Sequence, residues 1–342
     1  MSLTKDPGMS LAKENGPRPA PEKRRSHRRQ GRTVPRRRTW TFAAALVVAL
    51  LIANAAVQRS ILEPSYWPTL LGTLAPFVLV ALASTVPILS GGGGIDISVG
   101  PTATLTNCLL AAVLFAHGWT SIWVTLPIVL VVGTVVGLLN GVLVVFGRLQ
   151  PVIATLATFF ILSGIALKAS PQPVPATDNW TSNLAGMVGP VPGAVVTIGS
   201  ALVVWLLLWR LRYVAALRSV GGDDVAAFSA GVPVGAVRIG AYALAGLFAA
   251  IAGIALTAVI QTSAPSLAAT YSLVALAAVS LGGTSLLGGV GGMLGSVLGA
   301  AAIYLLQELL AGAGVPTSYV QFVYGLLLIA GVVLSGVATR KR

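Results

Sequence analysis

The sequence predicts an all-α protein: a polytopic bundle of transmembrane helices, about ten spans, with both termini in the cytoplasm. Three observations predict it. Apolar residues fill 56% of the 342 positions, charged residues only 9%, and mean hydropathy is +0.88, a composition of integral membrane proteins rather than soluble domains. Windows approaching the roughly 20 apolar residues that cross a bilayer as a helix recur along the chain. These windows lack the alternation of barrel strands, and an open sheet cannot satisfy its backbone in lipid, which leaves helices.

The chain divides into a basic tail at residues 1–38, a membrane domain at 39–339 carrying a charged loop at 210–238, and a short basic end at 340–342. The tail holds twelve Lys/Arg against three Asp/Glu. Its Pro, Gly and Arg content without apolar periodicity predicts disorder. A basic tail can bind nucleic acid. Placed before a hydrophobic span it reads instead as a cytoplasmic topology anchor drawn to anionic lipid, with no nucleic-acid role. Arg36-Arg37-Arg38 superficially resembles an export signal, with Ala53-Asn54-Ala55 as a cleavage site; with so many spans downstream, a retained first helix is expected. The single cysteine, Cys108, permits no internal disulfide and no cysteine metal cluster.

The spans follow in order. Thr39–Val57 is the first, and Arg59 and Glu63 mark the loop after it. Tyr66–Ser90 contains Pro68, Pro76 and Pro87, which neighbouring helices can tolerate. Gly91–Gly94 breaks the chain before Ile97–Ala116. Gly118-Trp119 turns it into Ile122–Phe146. Gly147-Arg148 ends that span, and Pro151 starts the fifth, to about Leu167. A polar loop, Lys168–Pro192, leads to Ala194–Trp209. After the charged loop come Ile239–Ile260, the short Tyr271–Leu281, Met293–Leu310 and Tyr319–Val337, with glycines crowding Gly282–Gly292. Ten spans with the N-terminus inside put twenty basic residues in the cytoplasm and leave Arg59 and Lys168 outside, as the positive-inside rule requires. Small residues at Leu138–Gly141 and Gly246–Gly253 offer places for close helix contact.

The charged loop carries a helix signal. Gly221-Gly222 breaks the preceding segment, Asp223 can cap a new helix, and Asp224 sits in its first turn, where a carboxylate meets the positive end of the dipole. Val225, Ala226, Ala227 and Phe228 are helix-compatible, and Gly231 with Pro233 beyond it fits a C-terminal stop. About two turns are not stable alone. Val225 and Phe228 lie three apart on one face. They either fold back onto the bundle or meet another protein, and the local pattern leaves both open.

Catalytic constellations are nearly absent. No His/Cys/Asp/Glu group has metal-ligand spacing, and no Gly-rich loop is followed by Lys and Ser/Thr, so no ATP site is evident. A transporter subunit rather than an enzyme is expected, with no cofactor of its own. Asp96 follows four glycines at the start of a span and reads as a helix cap before a substrate group. Glu308, near the outer end of the ninth span, reads as structural or gating. Asn107, Asn140, Thr155, Thr158, Ser163 and Gln321 lie within spans and could line a path for a neutral, hydroxyl-rich substrate. Each alone equally reads as a helix–helix hydrogen bond.

Five stretches carry a resemblance. Gly93-Gly94-Ile95-Asp96-Ile97-Ser98-Val99-Gly100, Gly137–Gly141 followed by Pro151–Leu156, Tyr213–Gly231, and Leu281–Gly289 resemble, in order and spacing, the signature blocks of the ribose/xylose/galactose-type permeases of bacterial ATP-binding-cassette importers. The similarity covers about Tyr66–Val337. It implies a multi-pass inner-membrane permease, paired with a second copy or a sister permease. It also implies a cytoplasmic sugar-type ATP-binding subunit, which would hold ATP and Mg, and an extracytoplasmic sugar-binding protein. It gives Arg218, Asp223, Asp224, Val225, Ala226, Ala227, Phe228 and Gly231 to coupling with the ATPase, and Gly93, Gly94, Asp96 and Ser98 to a helix break near the pathway. The chain departs from the pattern where Val225 replaces the coupling glutamate, Val290 a basic residue and Pro101 a small one. The alternatives are a permease for branched-chain amino acids or nucleosides, and a standalone ion-coupled carrier.

Overall fold

The structure is a computed structural model, which describes residues 40–316 except 178, together with 319, 322, 323, 325, 326 and 329. The tail, the basic end, Gln321 and most of the tenth predicted span lie outside the described residues.

The helices are α1 (Thr41–Val57), α2 (Trp67–Leu89), α3 (Val99–Cys108), α4 (Ile122–Val145), α5 (Pro151–Ala169), α6 (Gly193–Arg210), α7 (Tyr213–Gly222), α8 (Asp224–Ser229), α9 (Val234–Ile260), α10 (Ala268–Leu281) and α11 (Met293–Gly312). A two-stranded hairpin, β1 (Met187–Val188) with β2 (Val191–Pro192), decorates the loop before α6. Nine of the ten predicted spans thus fall on helices. Among the described residues, seven helical stretches are long and apolar enough to cross a membrane, while Thr41–Val57 and Pro265–Leu281 are shorter. At about 1.5 Å per residue, the 14 residues of α10 rise about 21 Å, less than a bilayer core of about 30 Å.

Three boundaries differ from expectation. The helix after the charged loop begins at Val234, not Ile239, so Arg238 belongs to α9. Pro233 stands just before its first turn, where the missing N–H has no intrahelical partner to lose. The third span begins at Val99, and α3 continues as a π-helical stretch to Leu114 and one 3-10 turn that Gly118 ends with φ 81°. The charged loop is itself mostly helical. α7 runs through Gly221 and Gly222, burying Val214, Leu217 and Val220.

Packing follows residue size. α2 is buried nearly all round from Ala75 to Leu89, and Phe248 to Ala258 of α9 lies with it at the centre. The expected small-residue contacts are present. A Cβ on Gly141 would come 2.9 Å from the Ile239 Cα, and one on Gly246 2.0 Å from the Gly133 carbonyl oxygen, so α4 and α9 meet backbone to backbone. The outer faces of α4, α5 and α6 expose Val131, Leu139, Ile153, Ile161, Val203 and Leu207, a surface suited to lipid rather than water.

The loops gather at two ends. The α2–α3 break, the α4–α5 turn, α7 with α8, and the α10–α11 turn meet at one end. At the other, residues 170–176 pair with 261–263, including a Pro175–Thr262 bridge.

Candidate functional site

The charged loop builds its helix as its residues require. Asp223 is extended, with φ −159°, and its carboxylate accepts from the Ala226 N–H at 2.9 Å. Gly231 takes φ 83° just past the end, a conformation that glycine adopts without a Cβ penalty. Ala227 is buried, while Val225 and Phe228 are each 72% exposed. The apolar pair therefore faces away from its own bundle. Asp224 holds α8 to α9 through Arg238, with Nη2 donating to Oδ2 at 2.9 Å. Arg218 on α7 donates to the Gly291 carbonyl at 3.3 Å, and the Tyr213 hydroxyl to that of Val237 at 2.8 Å. Burial pushes the Tyr213 phenol well up.

Beneath α8 three glycine runs converge. A Cβ on Gly221 would stand 1.9 Å from the Leu89 carbonyl oxygen and 2.6 Å from the Gly289 nitrogen. One on Gly288 would stand 2.4 Å from the Gly91 Cα. The Gly289 N–H donates to Leu89 O at 3.2 Å across the same junction. The end of α7 is thus wedged, with no side chain between, against the end of α2 and the turn before α11. Neither Gly221's role nor this meeting is foreseen in the sequence, which shows the glycine runs but not their contact.

Gly93 and Gly94 lie in the break after α2. The buried Asp96, Ser98 and Asn140 and the half-buried Thr158 form one chain of hydrogen bonds beyond it. Asp96 Oδ1 accepts from the Ser98 N–H at 2.8 Å and hydroxyl at 2.6 Å. Asn140 donates to Ser98 Oγ at 2.8 Å and accepts from Thr158 Oγ1 at 2.6 Å. Alongside, the Ile97 N–H donates to Thr155 Oγ1 at 3.2 Å, and Ser272 to the Ile97 carbonyl at 2.6 Å. Asp96 does act at a helix start, but on the residue just before α3, not within its first turn. The network pins the start of α3 to α4, α5 and α10, and its polar atoms are turned to one another.

Asn107 is elsewhere. It donates to Thr257 Oγ1 at 2.9 Å and to the Thr262 carbonyl at 3.0 Å, and accepts from the Ala264 N–H at 2.8 Å. It fixes the chain as it leaves α9. The Ser163 hydroxyl is buried without a hydrogen-bond partner among the described residues. The backbone carbonyl of Glu308 accepts from Gln58 at 2.8 Å.

Comparison with known proteins places this arrangement. The family described as "Branched-chain amino acid transport system / permease component" matches residues 68–332. A ribose import permease of Bacillus subtilis is 34% identical over 296 residues, 83% of this chain and 89% of that protein. A fructose import permease of Bifidobacterium longum is 30% identical over 312 residues, 86% and 89% of the two chains. An autoinducer 2 import system permease of Escherichia coli is 30% identical over 320 residues, 89% and 94% of the two. No solved structure matches the chain.

Proposed function

This chain belongs to the permease-component family of branched-chain amino acid type transport systems, and on that premise we propose that it is the membrane-spanning subunit of an ATP-driven importer for a monosaccharide or similar small polyol. The protein is a multi-pass membrane protein, placed by this reading in the bacterial inner membrane. A separate cytoplasmic ATP-binding subunit supplies ATP and Mg, an extracytoplasmic binding protein delivers the sugar, and a second permease copy or paralogue completes the pathway.

The observation that carries the ATP-driven reading is α8. It is a capped two-turn helix, tethered by Asp224 to Arg238, that turns Val225 and Phe228 outward. So short a helix is held by its surroundings, and apolar residues at an exposed polar end fit a docking partner. Closure of the ATPase would press on α8, and α7 would carry the push to the glycine junction and so to α2, α10 and α11. The sugar reading rests on the relatives, which are named for ribose, fructose and autoinducer 2 import. Sidedness follows from charge. Arg148, Arg210, Arg212, Arg218 and Arg238 lie at the α8 end, with Arg59 and Lys168 at the other, which favours a cytoplasmic α8.

The test is co-expression with a candidate sugar-type ATPase and binding protein, reconstitution in nanodiscs, and ATPase assay across a sugar panel. Stimulation that needs both one sugar and the binding protein supports the reading. Uptake by this chain alone, driven by an ion gradient, would replace it with the standalone carrier. Stimulation by leucine or valine instead would move the substrate to the class in the family's description.

A further inference from the structure

Next to the glycine junction lies a half-open cleft of about 380 Å³, between the turn after α2, the α4–α5 turn and the first turns of α9. Its polar lining includes Gly92, Arg148, Gln150, Arg238 and Tyr242, and no carboxylate lines it among the described residues. Two arginines therefore line one small space. We propose that this cleft is a binding site for a phosphate-class anion, a phosphate ester carried by a small organic group.

Four features lead there. Tyr242 is 1% exposed, and its hydroxyl is buried with no hydrogen-bond partner among the described residues. Arg238 Nε is buried and likewise has no hydrogen-bond partner among the described residues. Arg148 takes the left-handed φ of 52° and forms no hydrogen bond or ion pair with any described residue. Gly91, Gly92 and Gly93 have successive positive φ values of 69°, 62° and 72°, and the Gly92 N–H has no protein acceptor among the described residues. A run of this kind makes a concavity of backbone donors suited to anions. Guanidinium, phenol and amide N–H are the donors that several oxyanion oxygens need together, and the planar fork of arginine matches phosphate oxygens. A neutral sugar needs acceptors too, and here only Gln150 and the phenol offer them from side chains. Ser90 already donates to the Pro87 carbonyl at 2.6 Å.

The cleft is connected to α8. The Arg238 guanidinium that lines the cleft also holds Asp224, through Nη2 at 2.9 Å. An occupant drawing on Arg238 competes with Asp224, and so loosens the tether of the docking helix. The site is thus placed to report an intracellular phosphate compound, or a lipid phosphate headgroup, to the helix that takes up ATPase motion.

The test needs no transport assay. The purified full chain is placed in phosphatidylcholine nanodiscs and titrated calorimetrically with inorganic phosphate and with ribose 5-phosphate. In parallel, the chain extracted from phosphatidylglycerol-containing membranes is weighed by native mass spectrometry for retained lipid. Saturable binding of the soluble phosphates identifies a metabolite site, and retained phosphatidylglycerol a lipid headgroup site. In either case Arg148→Ala weakens binding about tenfold, as loss of a charge-assisted contact does. Tyr242→Phe, which removes only the hydroxyl and keeps the packing, weakens it less. Arg212→Ala, an exposed arginine outside the cleft with φ 62°, leaves it unchanged. Absence of both kinds of binding, or equal loss in Arg212→Ala and Arg148→Ala, overturns the proposal.

Discussion

Gly221→Ala should damage the protein and Gly222→Ala should not, although both glycines belong to the last turn of α7. On Gly221 the new methyl lies 1.9 Å from Leu89 O and 2.6 Å from Gly289 N. An ordinary carbon–oxygen contact is about 3.3 Å, so the carbonyl must retreat by about 1.4 Å. Both opposing atoms are backbone, and no rotamer change relieves them. The Gly289–Leu89 hydrogen bond breaks, at about 1 kcal/mol. The overpacking costs about 1–3 kcal/mol, while the better helix propensity of alanine returns about 1 kcal/mol. The net is a destabilisation of about 1–3 kcal/mol. A Cβ on Gly222 meets nothing within 4 Å, so only the propensity gain remains, and stability holds or rises by at most about 1 kcal/mol. Heating each detergent-solubilised variant and following the monodisperse peak by size-exclusion chromatography gives the comparison. If Gly221→Ala melts at or above the wild type, or Gly222→Ala falls as far, the backbone wedge is not what holds α7.

Asp223→Ala removes the cap on the Ala226 N–H and should cost α8 about 1 kcal/mol; stimulated ATPase activity of the reconstituted complex falls while bundle melting stays put. Val225→Ser with Phe228→Ser should change melting by less than about 0.5 kcal/mol, because both side chains are exposed, yet reduce co-purification of the ATPase. Asn140→Ala removes the link between Ser98 and Thr158 and should lower stability by about 1–3 kcal/mol, read as an earlier loss of the same chromatographic peak.

The spans are legible because length and apolarity alone define a bilayer-crossing helix, and nine of the ten expected positions are helical. α8 is legible for a local reason: Asp223, Asp224 and Gly231 carry its start and stop within nine residues. α7 and the first turn of α9 are not. Gly221-Gly222 reads as a break, yet α7 continues through both, and at Gly221 only a residue without a side chain fits against Leu89. Arg238 reads as a loop charge, yet it sits inside α9 because Asp224 neutralises it from a neighbouring helix. Asp96, Ser98, Asn140 and Thr158 were each visible as polar residues in apolar surroundings. Their union depends on contacts 42 and 18 positions apart, which no helical period announces.

Where side chains separate two segments, a core can absorb movement by changing rotamers. At the glycine junction Gly221, Gly91 and Gly288 present only carbonyls, amides and Cα atoms to one another, so there is no compliant layer. A displacement of α7 has nowhere to dissipate before it reaches α2 and the turn ahead of α11. The same stiffness restricts where the sequence can vary. A side chain added at Gly91, Gly221 or Gly288 collides with backbone, whereas the outward face of α8, where valine stands at 225, is free to vary.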